Sequence, residues 1–176
     1  KLSNDMKLKI VSEVNSMDNE LFTLIKNLLE KNQDISISSS SWSDKRLVKY
    51  STVTADSEFD FGPASGALDG DEKTWWHSDS SSPVHWLSVD LGKAKTVNKF
   101  CVKHVKNPNF VTKDFKIQGS HDGHEWIDLV TVNGNCSYET VHDITPVSFR
   151  FFRLYITYPC INDFAARIFE FEIWES

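Results

Sequence analysis

The apolar positions of this chain follow two rhythms, and the change between them divides it. Before Gln33, Ile10, Val14, Met17, Leu21, Leu24 and Leu28 recur at alternating spacings of four and three, which places them on one stripe of an α-helix. Ser3, Asn4 or Asp5 offers an N-cap, and the helix-poor run Asn15-Ser16-Met17-Asp18-Asn19 favours a break into two helices. The same spacing matches a short coiled-coil seam, but about three heptads is near the lower limit for one. A helix that packs on the domain that follows, or belongs to a preceding helical domain, is the simpler expectation. The segment 1–33 is therefore read as helical, and the Ser-rich stretch 34–44 as a linker.

From 45 to 176 no helical period persists. Short runs of β-branched and aromatic residues take over at 85–91, 96–104, 113–120, 126–132, 139–144, 149–157 and 167–174. Turn clusters such as His121-Asp122-Gly123 and Asn133-Gly134-Asn135 separate them. Regular spacing of this kind predicts an all-β domain, an antiparallel β-sandwich. Within 149–157, Phe152, Leu154 and Ile156 share the expected inward face, and Phe149, Phe151, Arg153, Tyr155 and Thr157 the outward one.

Composition narrows the function. Apolar residues make up 40% of the chain and aromatics 12%, with six Trp and twelve Phe, enough for a core and for rings left over at a surface. A net charge of −6 gives no long-range attraction to phosphate backbones or anionic lipid, so no nucleic-acid partner is expected. No apolar run approaches the roughly 20 residues that cross a bilayer, so no membrane insertion is expected either. Cys101, Cys136 and Cys160 are an odd number without CxxC spacing, which argues against a zinc site and leaves at least one thiol free or paired to another chain. There is no HExxH, GxSxG or Gly-rich phosphate loop, and no enzyme activity is expected.

A series of short motifs is more specific. Ala67-Leu68-Asp69-Gly70-Asp71 leads through Thr74 to Trp75-Trp76-His77. Then come His85-Trp86-Leu87-Ser88-Val89-Asp90-Leu91-Gly92, Lys113-Asp114-Phe115-Lys116-Ile117 and Ser120-His121-Asp122-Gly123-His124-Glu125-Trp126. Phe152-Arg153-Leu154-Tyr155-Ile156 and Ala166-Arg167-Ile168-Phe169-Glu170-Phe171 close the set. In this order, over 51–176, they resemble the discoidin (coagulation factor 5/8 type C) family, above all the family 32 carbohydrate-binding modules of bacterial glycoside hydrolases. The resemblance implies a jelly-roll, galactose-binding-domain-like sandwich without catalysis.

Asp69, Asp71 and Thr74 put several oxygens on one tight loop, a donor set suited to Ca²⁺; an Asx-turn has the same signature. The resemblance implies a structural calcium ion bound by the Gly66 carbonyl, Asp69, Asp71, the Thr74 carbonyl and hydroxyl, the Phe169 carbonyl and Glu170. It also implies a sugar site in loops at one end of the sandwich. His77 matches the family's His and Asn109 its Asn, while the middle loop has no Arg and offers Lys103 or Lys106 in its place. His104, Phe110 and Phe164 are the further expected contacts. Phe59 and Phe61 read equally as exposed stacking rings or as core plugs.

The expected function is a carbohydrate-binding module that tethers a larger protein, secreted or at the cell surface, to glycans. A discoidin-type protein–protein interaction domain is the alternative. Phospholipid-binding members carry a disulfide joining the two ends of the domain, and here no Cys precedes Cys101.

Overall fold

The computed structural model describes Arg46, Leu47 and residues 51–176, all within the unit Lys45–Ser176. The helical segment 1–33 and the linker 34–44 expected above lie outside the described residues. Among the described residues seven strands follow one another: β1 (Thr52–Ala55), β2 (Trp76–His77), β3 (His85–His104), β4 (Asp114–Ser120), β5 (Ile127–Val132), β6 (Glu139–Tyr158) and β7 (Arg167–Glu175). A 3-10 turn, Ala64–Ala67, lies between the first two. Every pairing is antiparallel, in the order β2-β7-β3-β6-β4-β5 with β1 on β3.

The sandwich arises because β3 and β6 serve both layers. Their mutual register jumps between the pairs Asp90↔Phe151 and Lys95↔Phe149. Gly92 sits in that break at φ +75, a left-handed bend that side chains with a Cβ rarely adopt, and Asp90 Oδ1 accepts its N–H at 2.8 Å. Before the bend β3 pairs with β1 and the C-terminal half of β6; after it, with β7 and the N-terminal half. The runs 85–91 and 96–104 are therefore one bent strand, and so are 139–144 and 149–157. Strands β1 and β2 escaped the sequence reading because four and two residues are too few to display a period.

Alternation fills the core. His85, Leu87 and Val89 point inward from β3, and Phe152, Leu154 and Ile156 from β6. Phe149 departs from the expected parity: the corner turns it inward, where it packs edge-on to Phe152 at 6.2 Å. The centre is aromatic, with Phe100 5.6 Å from Phe152 in the opposite layer and 6.3 Å from Phe171 beside it. Truncating one such ring costs about 3–5 kcal/mol. This arrangement brings the start of β7, the end of β6 and both ends of β3 to one end of the sandwich, where the loops 56–63, 105–113 and 159–166 gather.

Candidate functional site

Strand β2 contributes its second residue, His77, to that end, and the Cα partner of His77 on β7 is Arg167. On its other side β2 pairs with the preceding loop: His77 N–H donates to the Gly62 carbonyl at 2.9 Å, and Phe59 N–H to the His77 carbonyl at 3.1 Å. Gly62 is needed there, since a Cβ would lie 2.6 Å from the His77 Cβ. The close approach brings Phe59 and Phe61 beside the imidazole. Their rings stack at 5.2 Å and 8°, and each meets the His77 ring edge-on. With 41% and 64% of their surface exposed, these are surface rings and not core plugs.

The His77 Nδ1 lies 2.7 Å from the Ser78 carbonyl. An acceptor there requires Nδ1 to carry the proton, which leaves Nε2 with a free lone pair. Partial burial holds the imidazole below its ordinary pKa, so the ring is neutral at pH 7. Next to it Arg167 forms a two-pronged ion pair with Asp163, at 2.9 and 2.8 Å, and gives a further bond to the Ala165 carbonyl at 3.2 Å. This guanidinium holds the Asp163 carboxyl far below the usual range. Its Nε–H and one Nη2 hydrogen have no partner among the described residues. The Phe110 ring supports its face at 4.7 Å.

Phe164, half exposed, stands on the same loop as Asp163. Buried His85 anchors this loop, with Nε2 2.7 Å from the Phe164 carbonyl and Nδ1 2.7 Å from Asp56. Asn109 is exposed next to Phe110, its N–H donated to Asn107 Oδ1 at 3.0 Å. His77 and Phe110 thus meet at Arg167 and Asp163, with Phe164 next to Asp163 in the chain and Asn109 next to Phe110.

Lys103 and His104 are placed elsewhere. Lys103 pairs with Glu72 at 2.8 Å and approaches Glu172 at 3.7 Å. His104 is 1% exposed, with its ring 5.3 Å from that of Phe115, and it is not a loop residue open to solution. Burial, with His142 nearby, pushes its pKa down to about 3. Both residues line a separate depression of about 130 Å³ with Glu72, Lys106, Tyr138 and Phe169. The guanidinium beside His77 therefore comes from the last strand and not from the middle loop. Arg167, Asp163 and the Phe59–Phe61 pair enlarge the expected set. A sequence signal for the first two existed in the i, i+4 spacing of Asp163 and Arg167 at the entry to β7.

The acidic loop is built as a cluster of acceptors. Around the Thr74 hydroxyl lie the Gly66 carbonyl at 3.4 Å, both Asp69 carboxylate oxygens at 2.9 and 2.8 Å, and the Asp71 carbonyl at 2.8 Å. A hydroxyl has one proton and satisfies one of these four. Nearby Glu170 is 1% exposed and its Oε1 has no partner. Burial, then the charge of Asp69, push its pKa up to about 7. Among the described residues no three His, Cys, Asp or Glu side chains are close enough to hold a metal alone. A cation here would depend on carbonyl and hydroxyl oxygens, which is the mixed donor set of Ca²⁺.

The sequence profile of the F5/8 type C domain matches residues 50–171. Among solved structures, chitosan-binding module 1 of a chitosanase/glucanase from Paenibacillus sp. IK-5 is 24% identical, with a TM-score of 0.64 over 73% of this chain and 98% of its own. A family 32 module from Clostridium perfringens solved with GalNAc-β-1,3-galactose is 20% identical, with a TM-score of 0.67 over 73% and 99%. Another family 32 carbohydrate-binding module from C. perfringens, in complex with galactose, is 21% identical, with a TM-score of 0.66 over 74% and 98%. The chain belongs to the F5/8 type C (discoidin) domain family.

Proposed function

We propose that this domain is a non-catalytic carbohydrate-binding module whose ligand sits over His77 and Arg167. The observation that carries the reading is a neutral imidazole acceptor beside a clamped guanidinium donor, flanked by the exposed rings of Phe59 and Phe61, with exposed Phe164 on the Asp163 loop. Sugars need both features, since hydroxyls take directed hydrogen bonds and the C–H face packs on an aromatic ring. His77 Nε2 accepts from a sugar hydroxyl, Arg167 donates from Nε and Nη2, and Asp163 fixes the plane of the guanidinium. Asn109 and Phe110 border this set. Relatives solved with galactose and with GalNAc-β-1,3-galactose support a glycan as the ligand class.

The site is shallow, and each bond that replaces one to water contributes about 0.5–1.5 kcal/mol. A few bonds and one stacked ring correspond to a dissociation constant of roughly micromolar to millimolar. The domain then serves as a tether in a larger secreted or surface protein, where repetition raises effective concentration. Calcium, held by the Gly66 and Phe169 carbonyls, Asp69, Asp71, Thr74 and Glu170, fastens the first loop to the last strand and takes no part in chemistry. A glycan array with the wild type and Arg167→Ala tests the reading. Hits that the variant loses are expected; a blank array with the wild type transfers the site to a protein partner.

A further inference from the structure

The outer face of the layer formed by β1, β4, β5 and the paired halves of β3 and β6 carries an unusual set of side chains. Alternation along β3 turns Trp86, Ser88 and Asp90 outward, opposite Tyr155, Arg153 and Phe151 of β6. Thr54 and Thr52 of β1 continue two of these rows beside Ser88 and Asp90. The turn 121–126 rises on the other flank and adds the half-buried Trp126. Gly123 takes a left-handed φ of +79 in that turn, which residues with a Cβ rarely adopt, and packs beside the Phe151 ring. Apart from Tyr155, these residues line, with Asp122 and His124, an open groove of about 390 Å³, within the range of small-ligand sites.

The groove is preorganised and balanced in charge. Arg153 is held between Trp126 at 4.2 Å and Tyr155 at 4.9 Å, while its Nε and Nη2 both donate to Gln118 Oε1 at 2.9 and 2.7 Å. Its Nη1 amino group is thereby fixed in place with no partner among the described residues. Asp90 is neutralised by Arg150 through two bonds of 2.7 Å. Asp122 Oδ1 is taken up by the turn, accepting from His124 N–H at 2.8 Å and Glu125 N–H at 3.0 Å. The lining charges that no counter-ion pairs, the Arg153 guanidinium and the Asp122 carboxylate, are opposite in sign, and a floor of small hydroxyl residues between indole rings suits a ligand that is uncharged overall, rich in hydroxyls and apolar on its ring faces.

The geometry points to a second carbohydrate site on this sheet face, taking a stretch of neutral oligosaccharide that lies across the strands. It shares no residue with the loop-end site and stands or falls separately. The test is an NMR titration of the full chain with cellohexaose, xylohexaose, laminarihexaose and N-acetylated chitohexaose. The indole N–H signals of Trp86 and Trp126 are assigned from their Phe variants. At least one oligosaccharide is expected to move these signals in the wild type and equally in Arg167→Ala. Ser88→Gln, which fills the floor, is expected to weaken the effect about tenfold or more, that is by about 1.4 kcal/mol, with an unchanged melting temperature. The proposal is overturned if no oligosaccharide moves either signal at millimolar concentration. It is also overturned if the shifts vanish in Arg167→Ala, or if the groove is occupied by a second copy, seen as self-association that Ser88→Gln abolishes.

Discussion

His77 and Arg167 are Cα partners in the two-residue ladder between β2 and β7, so an acceptor and a donor fork from distant parts of the chain stand side by side. Arg167→Lys is expected to weaken glycan binding about tenfold or more, because an ammonium cannot reproduce two fixed N–H directions. Calorimetry on wild type and variant, with melting curves to confirm the fold, checks this. Equal affinity would remove Arg167 from the site.

Binding should also follow the protonation of His77. Its pKa lies below the ordinary value, chiefly because burial disfavours the charged ring, and Arg167 acts in the same direction. Affinity is therefore expected to be flat above pH 7 and to fall as acid protonates Nε2 and converts the acceptor to a donor. Asp163 stays ionised throughout, since Arg167 holds its carboxyl well below the usual range. His77→Gln keeps a pH-independent acceptor and should abolish the dependence. A wild-type affinity that stays level through the titration of the His77 ring itself, followed by NMR, would contradict the assigned tautomer.

How far the sequence was legible depends on the range of the interaction. Alternation in β3, β4, β6 and β7 is local and displayed its strands, and the ordered motifs around Trp75-Trp76-His77 and Phe169-Glu170 pointed to the family. The bends that join 85–91 to 96–104 depend on a register shift between two strands, which no local pattern records. Arg167 was hidden for the same reason, because its role follows from pairing across β2–β7 rather than from its neighbours. The run 96–104 already reads as a strand through His104, but its local pattern does not show that the two layers close over His104 and bury it, nor that Lys103 pairs with Glu72.

Acid should destabilise the fold partly through His104. Its folded-state pKa of about 3 lies below the ordinary 6.5, so in acid the unfolded chain takes up a proton that the folded chain refuses. The contribution is complete above about pH 6.5 and is lost as pH falls toward 3, on the order of a few kcal/mol in all. His77 and His142 are shifted in the same direction and add to the slope. His104→Phe is expected to flatten, though not abolish, the decline of melting temperature between pH 7 and 4. An unchanged slope would assign the acid response to other groups.

Calcium is expected to raise the melting temperature, and chelation to lower it. Glu170 is buried with one oxygen unpartnered and stands near the charge of Asp69, a repulsion that a cation relieves. A ligand specific to the folded state adds about 2.7 kcal/mol at a hundredfold excess over its dissociation constant. Glu170→Gln should lose most of the calcium response. Identical melting with EDTA and with millimolar calcium would show that the loop is an Asx-turn alone.

The central claim, a glycan seated over His77 and Arg167, is tested most directly by mapping chemical shifts of side-chain signals against the strongest hit of a glycan array. The account predicts saturable changes at the His77 ring, the Arg167 Nε–H and the Phe59, Phe61 and Phe164 rings, which converge at one end of the sandwich. Saturable binding that leaves all five unchanged would contradict it.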